Sequence, residues 1–92
     1  MGEFSINDTV LCELASFEAS KCEGVEKILR VSVDKVDTDV IFNIDVSVFY
    51  GVNIRKCSED IKSRVKESIE KYASVYTDEV NINVKSVKKQ TL

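Results

Sequence analysis

The sequence predicts an α+β fold: a two-layer sandwich in which two helices cover one face of a three-stranded sheet, in the order helix, strand, strand, helix, strand. Three observations carry this. From Asp39 to Gly51 the chain alternates, with Val40, Phe42, Ile44, Val46, Val48 and Tyr50 on every second position. Strand side chains alternate between faces, so strict alternation marks a sheet buried on one side only. Further on, Ile54, Cys57, Ile61, Val65, Ile69, Tyr72 and Tyr76 recur at helical spacing and form one narrow apolar stripe. Each remaining element has a single apolar face as well, and faces of that kind must be buried against one another.

In chain order, Gly2 to Ile6 reads as a short leading strand or an ordered arm; a leading strand that joined the sheet would bring the fold close to a ferredoxin-like one. Asn7 or Asp8 then suits a helix N-cap, because a short side-chain oxygen accepts from the unpaired amides of the first turn. With Asn7 as the cap, Ile6 and Leu11 stand at the positions of a hydrophobic staple. The first helix is expected from Asp8 to Glu23, with Val10, Leu11, Leu14, Ala15, Phe17 and Cys22 on its apolar face and Glu18 interrupting it. Gly24 follows where a left-handed residue ends a helix cheaply.

Val25 to Lys35 reads as a strand with Leu29, Val31 and Val33 inward and Arg30, Ser32 and Asp34 outward. The polar turn Val36-Asp37-Thr38 joins it to the central strand as a β-hairpin. Asn53 or Ser58 caps the second helix, which runs to about Ser74. Asp60 precedes Arg64 and Glu67 precedes Lys71 in the favourable order for pairs on one helix. The last strand is Glu79 to Val87, with Val80, Ile82 and Val84 alternating against Asn81, Asn83 and Lys85, and a frayed tail runs from Lys88 to Leu92. Whether this strand lies beside the first or the second strand of the hairpin is not readable from the pattern.

Composition sets the bounds of function. The chain has 92 residues, room for one small domain. With a net charge of −3, it lacks the basic balance that supplies general affinity for nucleic acid. It has three cysteines, Cys12, Cys22 and Cys57, without metal-site spacing, and no histidine, so the commonest metal ligand and the commonest general base are both missing. Cys22 and Cys57 fit apolar faces, and Cys12 falls on the polar side of the first helix. Asp34, Asp37 and Asp39 cluster at the hairpin turn, where aspartate is a good turn residue, and the pattern of a calcium loop is broken there. The turn Tyr50-Gly51-Val52-Asn53-Ile54 holds one glycine, too few for a phosphate-binding loop. Arg55, Lys56, Lys62, Arg64 and Lys66 on the second helix interleave with acidic residues and read as a solvated face. No cofactor, metal or catalytic residue is expected. Neither a secretory signal nor a membrane-spanning run is present, so the protein is expected in the cytoplasm.

Two stretches carry a family resemblance. One is Val10 to Val25, an alanine-containing helix ending in Gly24-Val25. The other is Val40 to Val87, with Val46-x-Val48-x-Tyr50-Gly51-x-Asn53-Ile54, then Ile61 and Val65, then Val80-Asn81-Ile82-Asn83-Val84. Together they resemble the alkaline shock protein family of mainly Gram-positive bacteria. That family usually has small residues where Glu18 stands and a glycine after the second helix, where this chain has Ser74-Val75. The resemblance implies a non-enzymatic protein linked to the cell envelope or general stress, held near the membrane by a protein partner rather than by its own anchor. It implies no catalytic residues.

The surface expected to work is the sheet face that the helices leave open. It carries Arg30, Asn43, Asp45, Ser47, Asn81, Asn83 and Lys85, with Ile41 and Phe49 at its ends. An aromatic residue among small polar groups is typical of contact surfaces. Edge strands offer a second mode, in which a partner strand adds through main-chain hydrogen bonds. The expected partners are a membrane protein or further copies of the chain. The alternative is a small KH-like nucleic-acid-binding domain, against which stand the acidic balance and the absence of a G-x-x-G clamp.

Overall fold

A computed structural model describes residues 7–89. The elements are α1 (Asp8–Ser20), β1 (Val25–Val36), β2 (Asp39–Phe49), α2 (Ile54–Ser68), which continues as a π-helical turn over Ile69–Ala73, and β3 (Glu79–Lys88). The fold is the α+β arrangement that the apolar patterns imply. β2 is central, antiparallel to β1 and parallel to β3, so β3 lies beside the second strand of the hairpin. The possible leading strand, the Ile6 half of the staple and the end of the tail lie outside the described residues.

Both helices start at asparagine caps. Asn7 Oδ1 accepts from the Val10 amide at 3.0 Å, and Asn53 Oδ1 accepts from the Lys56 amide at 3.1 Å. α1 ends three residues before the expected Glu23. The amides of Lys21 and Cys22 donate three residues back, to the carbonyls of Glu18 and Ala19 at 3.2 Å each, which tightens and closes the helix. Cys22 therefore follows α1 instead of lying on it. Gly24 (φ +94°) then turns the chain into β1.

The core lies between the helix layer and one sheet face. Phe42, Ile44, Val46 and Val48 of β2 are at most 1% exposed, beneath Leu11, Ala15 and Ala19 of α1 and Cys57, Ile61, Val65 and Ile69 of α2. Several expected core positions turn out exposed. Val10 and Phe17 stand roughly 100° or more around α1 from Leu11, and the buried stripe runs instead through Leu11, Ala15, Glu18 and Ala19. Tyr72 is exposed because the π-helical turn lengthens the local repeat and brings Ala73 inward after Ile69, and Tyr76 is exposed in the connection that follows the end of the helix at Ala73. Ile54 lies in the first turn of α2, beyond the cover of the sheet, and Tyr50 stands past the end of β2. Leu29 is exposed because β1 carries an extra residue between Ile28, which faces Val46, and Arg30, which faces Asp45. Such a bulge slips the side-chain alternation by one, so Ile28 takes the inward place. The bulk of the apolar pattern therefore holds, and the departures sit at helix flanks, element ends and bulges.

Candidate functional site

The open sheet face is built in cross-strand rows. Arg30, Asp45 and Asn83 form one row, Ser32, Asn43 and Asn81 the next, and Asp34, Ile41 and Glu79 the one after. Toward the other end, Lys27, Ser47 and Ser86 share a row, and Phe49 pairs with Lys88. Eight of the nine residues expected on this surface fall on these rows. The exception is Lys85. A register shift in β3 makes it the extra residue between Val84 and Ser86, and Ser86 takes its place opposite Ser47. No feature of the alternation from Val80 to Lys85 announces that slip, because the bulge follows it.

Side chains tie the three strands together. The Asn43 amide donates to Asp34 Oδ2 at 3.0 Å, and the Asn81 amide donates to Asn43 Oδ1 at 3.1 Å. The Asn83 amide donates to Asp45 Oδ1 at 3.2 Å, and the Ser47 and Ser86 hydroxyls lie 2.8 Å apart in a shared hydrogen bond. These bonds satisfy the polar groups laterally and fix them in plane, so the face presents a rigid polar surface rather than free side chains. Ser47 is 1% exposed, while Ile41, Asn43, Asp45 and Phe49 are half-buried among their neighbours. The Asp34, Asp37 and Asp39 cluster works as a turn, with Asp37 in the left-handed region at φ 55° and Asp34 engaged by Asn43.

The opposite surface, on the outside of the helices, holds what the pattern of residues concealed. Phe17, Tyr72 and Tyr76 are exposed there, each with a lysine over its ring: Lys21 at 4.1 Å, Lys71 at 5.3 Å and Lys66 at 5.4 Å from the ring centres. Between the helices Glu18 is 8% exposed and accepts from Arg64 Nε at 3.1 Å, with Lys21 Nζ 3.6 Å from its other oxygen. Arg64 thus pairs across the helices and not with Asp60. Burial pushes the Glu18 carboxyl up, but hydrogen bonds from Arg64 and Ser68 and the charges of Lys21 and Arg64 outweigh it and hold the group below its ordinary value of 4.5. A lowered carboxylate stabilises the fold above the ordinary value and loses that contribution as pH falls through the lowered one. Glu18→Gln is therefore expected to unfold at lower urea than wild type at pH 7, with the gap narrowing as the pH falls below the ordinary carboxyl range; a gap independent of pH would refute the pairing.

Cys22 and Cys57 are buried, and Cys57 Sγ donates to the Glu23 carbonyl at 3.6 Å. Cys12, expected on the polar side, is half-buried. Burial raises all three thiols, which keeps them protonated and weakly nucleophilic. A groove of about 570 Å³ runs between α1 and the β1 edge, lined in part by Cys12, Glu13, Leu29 and Val31. Among the described residues no helix is long and apolar enough to cross a membrane.

Residues 29–89 match the model of the alkaline shock protein 23 family, whose function is described as cell envelope-related. That span takes in the last eight residues of β1 and everything from there through β3. No curated protein matches the chain. Among solved structures, the chain is similar to forms of MamM CTD. For a nickel form of one variant the TM-score is 0.61 at 12% identity, over 85% of this chain and 96% of that one. For a copper form of another the TM-score is 0.60 at 10% identity, over 85% and 94%. A doubly substituted variant gives 0.62 at 12% identity, over 85% and 90%. At such low identity the likeness is one of fold.

Proposed function

The chain belongs to the alkaline shock protein 23 family, and from that premise we propose that it is a non-enzymatic interaction module, held at the cell envelope by a protein partner that docks on the open sheet face. The observation that carries this is the hydrogen-bonded ladder of Asp34, Asn43 and Asn81, Asp45 and Asn83, and Ser47 and Ser86, bracketed by half-buried Ile41 and Phe49. A partner meets a surface already ordered, so little side-chain freedom is lost on docking. Apolar contacts at the two ends and main-chain-like amides between them offer both area and direction. The helix side is a poorer match, since its aromatic rings are already occupied by lysines.

The nickel and copper of the MamM CTD forms do not carry over to this reading. Among the described residues no group of three or more His, Cys, Asp or Glu is placed to hold a metal ion. Nor does the face bring a nucleophile beside a base, which acyl or phosphoryl chemistry would require.

The test is the pair Phe49→Arg with Asn43→Arg, used as bait against detergent-solubilised membranes of the native cell. Circular dichroism first establishes that the variant melts cooperatively. Loss of the partners recovered by wild type is expected. A folded variant that recovers the same partners would overturn the reading, and a salt-sensitive RNA gel shift by wild type would replace it with nucleic-acid binding.

A further inference from the structure

The open face is self-complementary in charge. At one end stand Lys27 and Lys88 beside Phe49; at the other stand Asp34 and Glu79 beside Ile41, and all four charged residues are exposed. The middle row holds one residue of each sign, Arg30 and Asp45. Basic and acidic ends therefore lie at opposite ends of the same strands.

Resting on the reading of this face as the docking surface, we propose that, where the envelope partner is absent, the face is taken by a second copy of the chain, packed face to face about a two-fold axis that runs across the strands. That operation reverses strand direction. It sets Lys88 over Glu79 of the second copy and Phe49 over its Ile41, each pair occurring twice, as an isologous contact requires. On the axis Arg30 lies over Arg30 of the other copy, with that copy's Asp45 one strand away as its counter-charge. The alternative two-fold, along the central strand, would lay β3 over β1 of the other copy and bring Lys88 over Lys27 and Glu79 over Asp34, a stacking of like charges that disfavours it. Two faces packed in this way meet about 10 Å apart, the spacing of a β-sandwich.

Size sets the strength. Nine residues of β2, from Ile41 to Phe49, at about 3.3 Å each, across three strands about 4.8 Å apart, give roughly 400 Å² per copy. The pair then buries roughly 800 Å², below the standard range for stable complexes, so the dimer is a weak, transient one. Its charged ends make it weaken with salt.

The experiment is sedimentation equilibrium at low salt, from micromolar to sub-millimolar protein, on wild type, Lys88→Glu and Glu79→Lys. Both positions are exposed and lie at opposite ends of β3, so neither swap disturbs a contact within one copy. Wild type is expected to dimerise, and each single variant to do so about tenfold more weakly, since two attractive pairs become repulsive. An equimolar mixture of the two variants is expected to recover the wild-type affinity. In the mixed dimer the acid introduced at position 88 of one copy meets the base introduced at position 79 of the other, and the native Glu79 and Lys88 that remain meet each other.

Single variants that dimerise as tightly as wild type, or a mixture that fails to recover, would overturn this packing. A wild type that stays monomeric throughout would overturn the second copy as partner. The Phe49→Arg, Asn43→Arg pull-down then decides the parent reading separately: if that pair still loses its native partners, the open face stands with a different occupant.

Discussion

Ile44→Asp is expected to abolish cooperative unfolding. Ile44 is fully buried in the middle of β2, between Val31 on β1 and Ile82 on β3, with the helix layer above it. Removing an isoleucine side chain from such a site costs about 2–5 kcal/mol. An ionised carboxylate put there has no cationic or donor partner in an apolar layer, which adds several kcal/mol more or forces protonation. The sum rivals the whole stability of a domain of this size, typically about 5–15 kcal/mol. One residue further along, Asp45→Val changes the open face, where a surface substitution shifts stability by about 1 kcal/mol or less. Thermal melts followed by circular dichroism separate the two. A cooperative melt unchanged by Ile44→Asp would mean that the faces of β2 are the reverse of those described.

Gly24→Ala is expected to be the most destabilising of the simple glycine changes. Gly24 has φ +94°, a region that alanine enters at a cost of about 1–2 kcal/mol. A Cβ there would also lie 2.9 Å from both γ-methyls of Val52, which packs against the core and can yield only by disturbing it. Overpacking of this kind costs about 1–3 kcal/mol. The total, about 2–5 kcal/mol, corresponds to a fall in Tm of roughly 8–40 °C for a chain of this length. Gly51→Ala isolates the backbone part, because Gly51 has the same φ of +94° but nothing within 4 Å of the added carbon. Val52→Ala in the Gly24→Ala background relieves the clash and leaves the backbone strain. Equal losses for Gly24→Ala and Gly51→Ala would remove Val52 from the explanation.

What could be read from the residues was whatever one element reveals by itself. The alternation of β2 identified its buried set Phe42, Ile44, Val46 and Val48, and the stripe of α2 identified Cys57, Ile61, Val65 and Ile69. The asparagine caps were readable because their chemistry is local. Strand order was not, because β3 carries the same apolar face whether it lies beside β1 or β2. The bulges at Leu29 and Lys85 each slip the chain by one residue, and a pattern with period two cannot reveal a slip in its own phase. The π-helical turn did the same to Tyr72, and Tyr76 lies beyond the helix end at Ala73. Glu18 looked like a break in the α1 face; its partner, Arg64, comes from the other helix, and only the packing of α1 on α2 joins them. Ser74, at the position where the family usually has glycine, takes the left-handed conformation at φ 56°.

The candidate surface divides in the same way. Asn43, Asp45 and Ser47 were legible as the polar face of β2, and Asn81 and Asn83 as that of β3. Their mutual hydrogen bonds depended on the parallel pairing of β2 with β3 and on its register. So did the charge layout, which needs Lys88 and Glu79 on the same face as Lys27 and Asp34.

The claim that the open face, and not the helix layer, makes the contacts is tested most directly by hydroxyl-radical footprinting read by mass spectrometry. The protein carries aromatic reporters on both sides: Phe49 on the open face, and Phe17, Tyr72 and Tyr76 on the helix side. Dilute protein is compared with protein in its native membrane complex. Protection of Phe49 and Ile41, with Phe17, Tyr72 and Tyr76 as reactive as before, is the predicted result. Protection of the three helix-side rings with Phe49 and Ile41 unchanged would contradict the account.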